Sequence, residues 1–97
     1  MRLDKIVHQK IVEYSKEYFN DFEMYLFGSR VDDTKKGGDI DLFIDSKSEI
    51  PLSIQMQFLK QLYKNVTQRK IDLVVKSPLK KDMAIFHTAV TTGVKLC

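Results

Sequence analysis

Two short apolar runs carrying aspartate at alternate positions constrain this chain more than any other feature. In Asp39-Ile40-Asp41-Leu42-Phe43-Ile44 the carboxylates fall two residues apart, and Lys70-Ile71-Asp72-Leu73-Val74-Val75 carries one more. Such alternation belongs to a β-strand with one buried face, because successive side chains point to opposite faces. Asp39 and Asp41 then project together, with Cα atoms ~7 Å apart, while Ile40, Leu42 and Ile44 turn towards a core. Asp72 projects away from Ile71, Leu73 and Val75, and joins the other two carboxylates if the strands are neighbours. Like charges gathered in this way repel, and a divalent cation removes the penalty. Mg²⁺ takes oxygen ligands, typically one or two protein carboxylates together with substrate phosphates. Two such ions about 3.5–4 Å apart stabilise the attacking and leaving oxygens of an in-line phosphoryl displacement. Asp72 then either ligates a metal or accepts a proton from the attacking hydroxyl. Each aspartate taken singly reads as ordinary strand-edge polarity. Asp45 shares the outward parity but falls at the strand end and reads as turn chemistry.

A second element lies just upstream. Phe22 to Phe27 is short and aromatic-rich, a predicted strand, and it runs directly into Gly28-Ser29-Arg30. Glycine lets the backbone turn tightly and approach a phosphate closely. Ser29 is a suitable helix N-cap, the free N–H groups of a helix start favour an anion, and Arg30 adds a permanent, forked cation. An isolated Gly-Ser is usually a plain turn. Its place before the paired aspartates, with Asp72 following later, makes the combination informative.

The remainder of the chain supplies a scaffold. Leu3 to Phe19 has the spacing of an amphipathic helix, with Asn20-Asp21 as a turn. The segment from Val31 to Gly38 reads as a loop, with a short helix beginning at Ser29 as an option. The second strand spans Asp39 to Asp45. After a turn at Ser46–Glu49, a helix begins near Pro51 or Leu52, where a missing N–H costs little, and runs to about Thr67. The third strand covers Lys70 to Lys76, and a last helix extends from Asp82 to near Gly93. The order α-β-loop-β-α-β-α predicts an α/β (α+β) fold: a small three-stranded or slightly larger mixed sheet backed by helices, in one domain over residues 1–97.

With 43% apolar residues and six Phe among 97 residues, the chain can bury one core. Its net charge of +3 suits a polyanion such as a nucleotide, but Lys and Arg are scattered, so direct nucleic-acid binding is not expected. The lone Cys97 excludes an internal disulfide and a cysteine-based zinc site. There is no apolar leader at the N-terminus and no membrane-length apolar run, so a cytoplasmic setting is expected. His8 reads as solvated and His87 as partly buried and structural. Lys35, Lys36, Lys76, Lys80 and Lys81 read as solvated, with the lysines after the third strand placed where they could meet a triphosphate. The four tyrosines read as core or interface residues.

Together, Phe27-Gly28-Ser29-Arg30, Gly38-Asp39-Ile40-Asp41-Leu42 and Ile71-Asp72-Leu73-Val74 resemble the nucleotidyltransferase superfamily of the DNA polymerase β type. The similarity is to its smallest branch, the minimal nucleotidyltransferases (MNT domains). Gly93-Val94-Lys95-Leu96-Cys97 is similar to the tail of that branch, so the resemblance covers nearly the whole chain. It implies the nucleotidyltransferase core fold, with Gly28, Ser29 and Arg30 on the triphosphate. It also implies that Asp39, Asp41 and Asp72 form a catalytic triad on two Mg²⁺ ions. The implied reaction transfers a nucleoside monophosphate, AMP from ATP, to a hydroxyl. The implied partner is a HEPN-type toxin, the chain being the antitoxin of a HEPN/MNT pair. A chain this small is not expected to carry an acceptor-binding domain of its own, so acceptor recognition is expected to fall on a partner or a homo-oligomer. Two other readings remain: a non-catalytic antitoxin that neutralises by binding, and a small-molecule nucleotidyltransferase.

Overall fold

The computed structural model describes residues 5–27, 39–80 and 83–97. Its elements are α1 (Lys5–Tyr18), β1 (Phe22–Phe27), β2 (Ile40–Ser46), α2 (Leu52–Asn65), β3 (Ile71–Lys76), α3 (Ala84–Thr92) and β4 (Val94–Lys95). The four strands form one mixed sheet in the order β3-β2-β1-β4. β1 runs antiparallel to β2 and to β4, while β2 and β3 are parallel. A parallel pair needs a crossover, and α2 provides it.

One face of the sheet buries Met24 and Leu26 of β1, Ile40, Leu42 and Ile44 of β2, and Ile71 and Val75 of β3. Ile11 of α1, Phe19, and Phe58 and Leu62 of α2 close over them. Phe58 and Leu62 stand four apart, hence on one helical face. Phe19 meets Phe58 edge-on at a centroid separation of 4.8 Å. Ser15 is buried in the same region, with its hydroxyl donating to the Val12 carbonyl at 2.8 Å. The other face carries a smaller cluster, Phe27, Phe43, Phe86 and Ala89, beneath α3.

Local chemistry sets the joints. Asp21 adopts φ 49°, a left-handed conformation that aspartate tolerates, and its carbonyl accepts from the Lys47 N–H at 3.0 Å. Gly93 ends α3 where a Cβ would lie 2.3 Å from the Ala89 carbonyl oxygen and 2.8 Å from that of Leu26. The close approach lets the chain turn straight into β4. The backbone continues past β4, with the Leu96 N–H donating to the Met24 carbonyl at 2.7 Å. The exposed Lys95–Glu23 pair, 2.7 Å apart, spans the same two strands.

Among the described residues the sheet has four strands, in line with the expected three or slightly more. The strand beyond three is the two-residue β4, which is formed by backbone pairing and leaves no alternating pattern. Asp39 lies one residue before β2 rather than inside it, and the strand includes Ser46, the first residue of the expected turn. No helix among the described residues is long and apolar enough to cross a membrane.

Candidate functional site

The parallel register places Asp41 directly beside Asp72, with Ile40 beside Ile71 and Leu42 beside Leu73. The buried aliphatics fix this alignment, since a slip of one residue would turn Ile40, Leu42 and Ile44 out of the core. Asp41 and Asp72 are half-buried and Asp39 is exposed. Ile40 is anchored by its N–H donating to the Lys70 carbonyl at 2.8 Å, which holds the Asp39 end of β2 against the start of β3.

Burial raises the Asp41 carboxyl above its usual range, and the charge and hydrogen bonding of Asp72 push it further, with Asp39 adding a smaller push. Lys70 opposes the rise. Its ammonium lies 3.7 Å from an Asp72 oxygen, although both side chains stay largely in water. The result is a strand-end cluster of hard oxygen donors whose negative charge the described residues compensate only in part. Among those residues, no group of three or more His, Cys, Asp or Glu side chains is arranged to hold a metal ion. The Asp41–Asp72 pair, with Asp39 alongside, has the donor chemistry of an open Mg²⁺ site that uses substrate oxygens for its remaining ligands.

Gly28, Ser29 and Arg30 lie outside the described residues, as do Lys35, Lys36, Lys81 and Asp82. The approach to the Gly-Ser segment is nonetheless defined. β1 ends at Phe27, and Phe27 is the antiparallel register partner of Asp41. The chain thus enters Gly28 from the strand adjoining the carboxylates.

Other expectations change. Lys76 stands at the end of β3 opposite to Asp72, in register with Asp45, so it is remote from where a triphosphate would meet Asp41. Asp45 belongs to β2 rather than to a turn and lines a cavity with Lys76. His87 is exposed on the flank of α3, whereas His8 is half-buried on α1. Tyr63 is more than packing. Its hydroxyl accepts from the Ile71 N–H at 2.7 Å and so pins the residue before Asp72. The distance from α2 to β3 hides that role in the sequence. Lys70 could have been found, because it sits two residues before Asp72 and shares its parity.

A family model for the nucleotidyltransferase domain matches residues 8–91. No curated protein sequence matches the chain. Among solved structures, a chain from a toxin–antitoxin crystal structure with AMP-PNP is 21% identical, with a TM-score of 0.75 over 93% of this chain and 72% of that one. A chain from the MntA–HepT toxin–antitoxin structure is 18% identical, with a TM-score of 0.72 over 97% of this chain and 72% of that one. A chain from the complex of the tri-AMPylated Shewanella oneidensis HEPN toxin with MNT antitoxin is 19% identical, with a TM-score of 0.73 over 98% and 72%. These likenesses are likenesses of fold.

Proposed function

The chain belongs to the nucleotidyltransferase domain family, and from that premise we propose that it is a metal-dependent nucleotidyltransferase moving AMP from ATP to a hydroxyl of a partner protein. The observation carrying this reading is the Asp41–Asp72 pair, set side by side by the parallel strands and only partly neutralised. We read Asp39, Asp41 and Asp72 as the ligands of two Mg²⁺ ions. Bound there, the ions would neutralise charge on the triphosphate and the leaving pyrophosphate.

The residues' own tasks follow from position. The Gly28-Ser29-Arg30 segment would receive the triphosphate beside Asp41. The acceptor oxygen forms a bond to the α-phosphorus, and the bond from that phosphorus to the bridging oxygen breaks. Its electron pair leaves with pyrophosphate. The hydroxyl proton passes to a carboxylate, a role we assign to Asp72 alongside its part in holding metal. Lys70, 3.7 Å from an Asp72 oxygen, offsets part of the negative charge there.

The solved complexes with AMP-PNP and with a tri-AMPylated HEPN toxin favour ATP as donor, a HEPN-type toxin as partner and an antitoxin role. Incubation of the chain with a co-expressed HEPN-type partner, labelled ATP and Mg²⁺ tests this. Labelled partner is expected, with loss of label for Asp39→Asn combined with Asp41→Asn. Label that persists in the double variant rejects the triad. A partner bound and neutralised without label supports the non-catalytic antitoxin instead.

A further inference from the structure

We propose that Lys70 is an exchangeable counter-ion. It pairs with the carboxylates of the metal-free chain, gives them up when Mg²⁺ binds, and then takes a phosphate oxygen of the bound nucleotide as its new partner. The inference rests on the reading that Asp39, Asp41 and Asp72 hold the metal ions.

Backbone pairing brings this cation among the carboxylates. The Ile40 N–H donates to the Lys70 carbonyl, so the β2–β3 ladder reaches back past the Ile40–Ile71 pair. Lys70 thereby stands level with Asp39 and one register step from the Asp41–Asp72 pair. Alternation puts Lys70 on the face of β3 that carries Asp72, and Asp39 on the face of β2 that carries Asp41. The ammonium lies 3.7 Å from an Asp72 oxygen and also opposes the rise of the Asp41 carboxyl. Among the described residues it is the only cation within ion-pair distance of these aspartates. Lys76, on the same face, stands at the other end of β3 beside Asp45.

The contact is built for exchange. The Lys70 side chain is 68% exposed and that of Asp72 45%, so their attraction is screened and weak. The flexible four-carbon stem lets the ammonium leave while the Lys70 backbone stays in the ladder. An ammonium has donors and no acceptor, so it cannot share a metal ion with the carboxylates. It repels a cation that arrives there, and the divalent ion is the stronger partner for hard oxygen donors. Once displaced, Lys70 lacks an anion. The triphosphate that completes the Mg²⁺ coordination sphere brings one to the same strand end. Lysine binds phosphate as a point charge and needs no fixed geometry to do so. Lys70 therefore opposes metal binding by the chain alone and favours metal together with nucleotide, which links the two binding events.

The test is calorimetric titration of the full chain, first with Mg²⁺ alone and then, at saturating Mg²⁺, with α,β-methylene-ATP, which cannot release pyrophosphate. Lys70→Met keeps an unbranched side chain and removes the charge. It is expected to tighten Mg²⁺ binding about threefold and to weaken binding of the nucleotide analogue about tenfold. Lys70→Arg, which keeps the charge, is expected to stay near the parent in both titrations. Lys76→Met, which removes a charge at the far end of the strand, is the control and is expected to change neither. The opposite signs carry the inference. Weaker binding of both ligands by Lys70→Met would make the lysine a structural support and overturn it. Unchanged Mg²⁺ affinity would deny the counter-ion role, and unchanged or tighter nucleotide binding would deny the transfer to phosphate. A parent chain that binds neither Mg²⁺ nor the analogue with Mg²⁺ overturns the underlying nucleotidyltransferase reading instead.

Discussion

On one face of the sheet α1 and α2 close over a continuous core running from Ile11 through Ile40, Leu42 and Ile44 to Phe58 and Leu62. On the other, the short α3 covers only Phe27, Phe43, Phe86 and Ala89. The same strands build both faces, since each strand residue that enters the first core is followed by one that faces the second. The difference lies in what has been left uncovered. The thinly roofed face keeps Asp41, Asp72, Asp45 and Lys76 within reach of solvent and ligand. Stability is concentrated on one face so that the other can hold charge that would be costly inside a core.

Substitutions can break or sharpen that contrast. The largest effect is expected from Phe58→Ala, which empties the heart of the larger core and should cost about 3–5 kcal/mol in urea unfolding. Phe86→Ala should cost nearer ~2 kcal/mol, because the surroundings of its site are open enough to relax. Equal losses would deny the asymmetry between the faces.

Next comes Asp41→Asn. Transfer activity should fall about a thousandfold, equivalent to ~4 kcal/mol of transition-state stabilisation. The metal-free variant should nevertheless be more stable than the parent near pH 7, by about 0.5–1 kcal/mol once solvent screening of this half-buried group is allowed for. The sign follows from the raised Asp41 carboxyl, lifted first by burial and then by Asp72. Its folded form holds a proton to higher pH than its unfolded form. The parent therefore loses stability as pH rises from the ordinary carboxylate value through the raised one. The stability gap between variant and parent should open across that window and then level off, and added Mg²⁺ should narrow it. A gap that is flat with pH would remove the like-charge argument for the pair.

Tyr63→Phe should cost about 1 kcal/mol in unfolding, less than either core truncation, from loss of the bond to the Ile71 N–H. If it lowers activity further than that loss explains, the tyrosine also fixes the position of Asp72.

Much of this was legible in the sequence. The hydrophobic alternation around Asp39–Ile44 gave both the strand and its buried side, and Phe22–Phe27 matches β1 residue for residue. Helix positions followed from spacings such as Phe58 with Leu62. The carboxylate neighbours Asp41 and Asp72 followed only on the assumption that their strands pair, which parity cannot supply and the crossover through α2 does. β4 was illegible because backbone pairing alone makes it. The cavity beside α3 could not be read either. His87, Val90 and Thr91 form one flank of α3, and nothing in their spacing shows that the flank stands beside Asp45 and Lys76.

The crossover that joins β2 to β3 also bears on the order of events during folding. β1 and β2 pair as antiparallel neighbours in sequence order, whereas β3 must wait for α2 to form and swing across before its long-range contacts repay the entropy of closing that loop. Until then Asp41 has no carboxylate beside it. The electrostatic cost of the acidic pair therefore falls on the pairing of β3 with β2, and a cation that binds the assembled pair would act as a latch on that step.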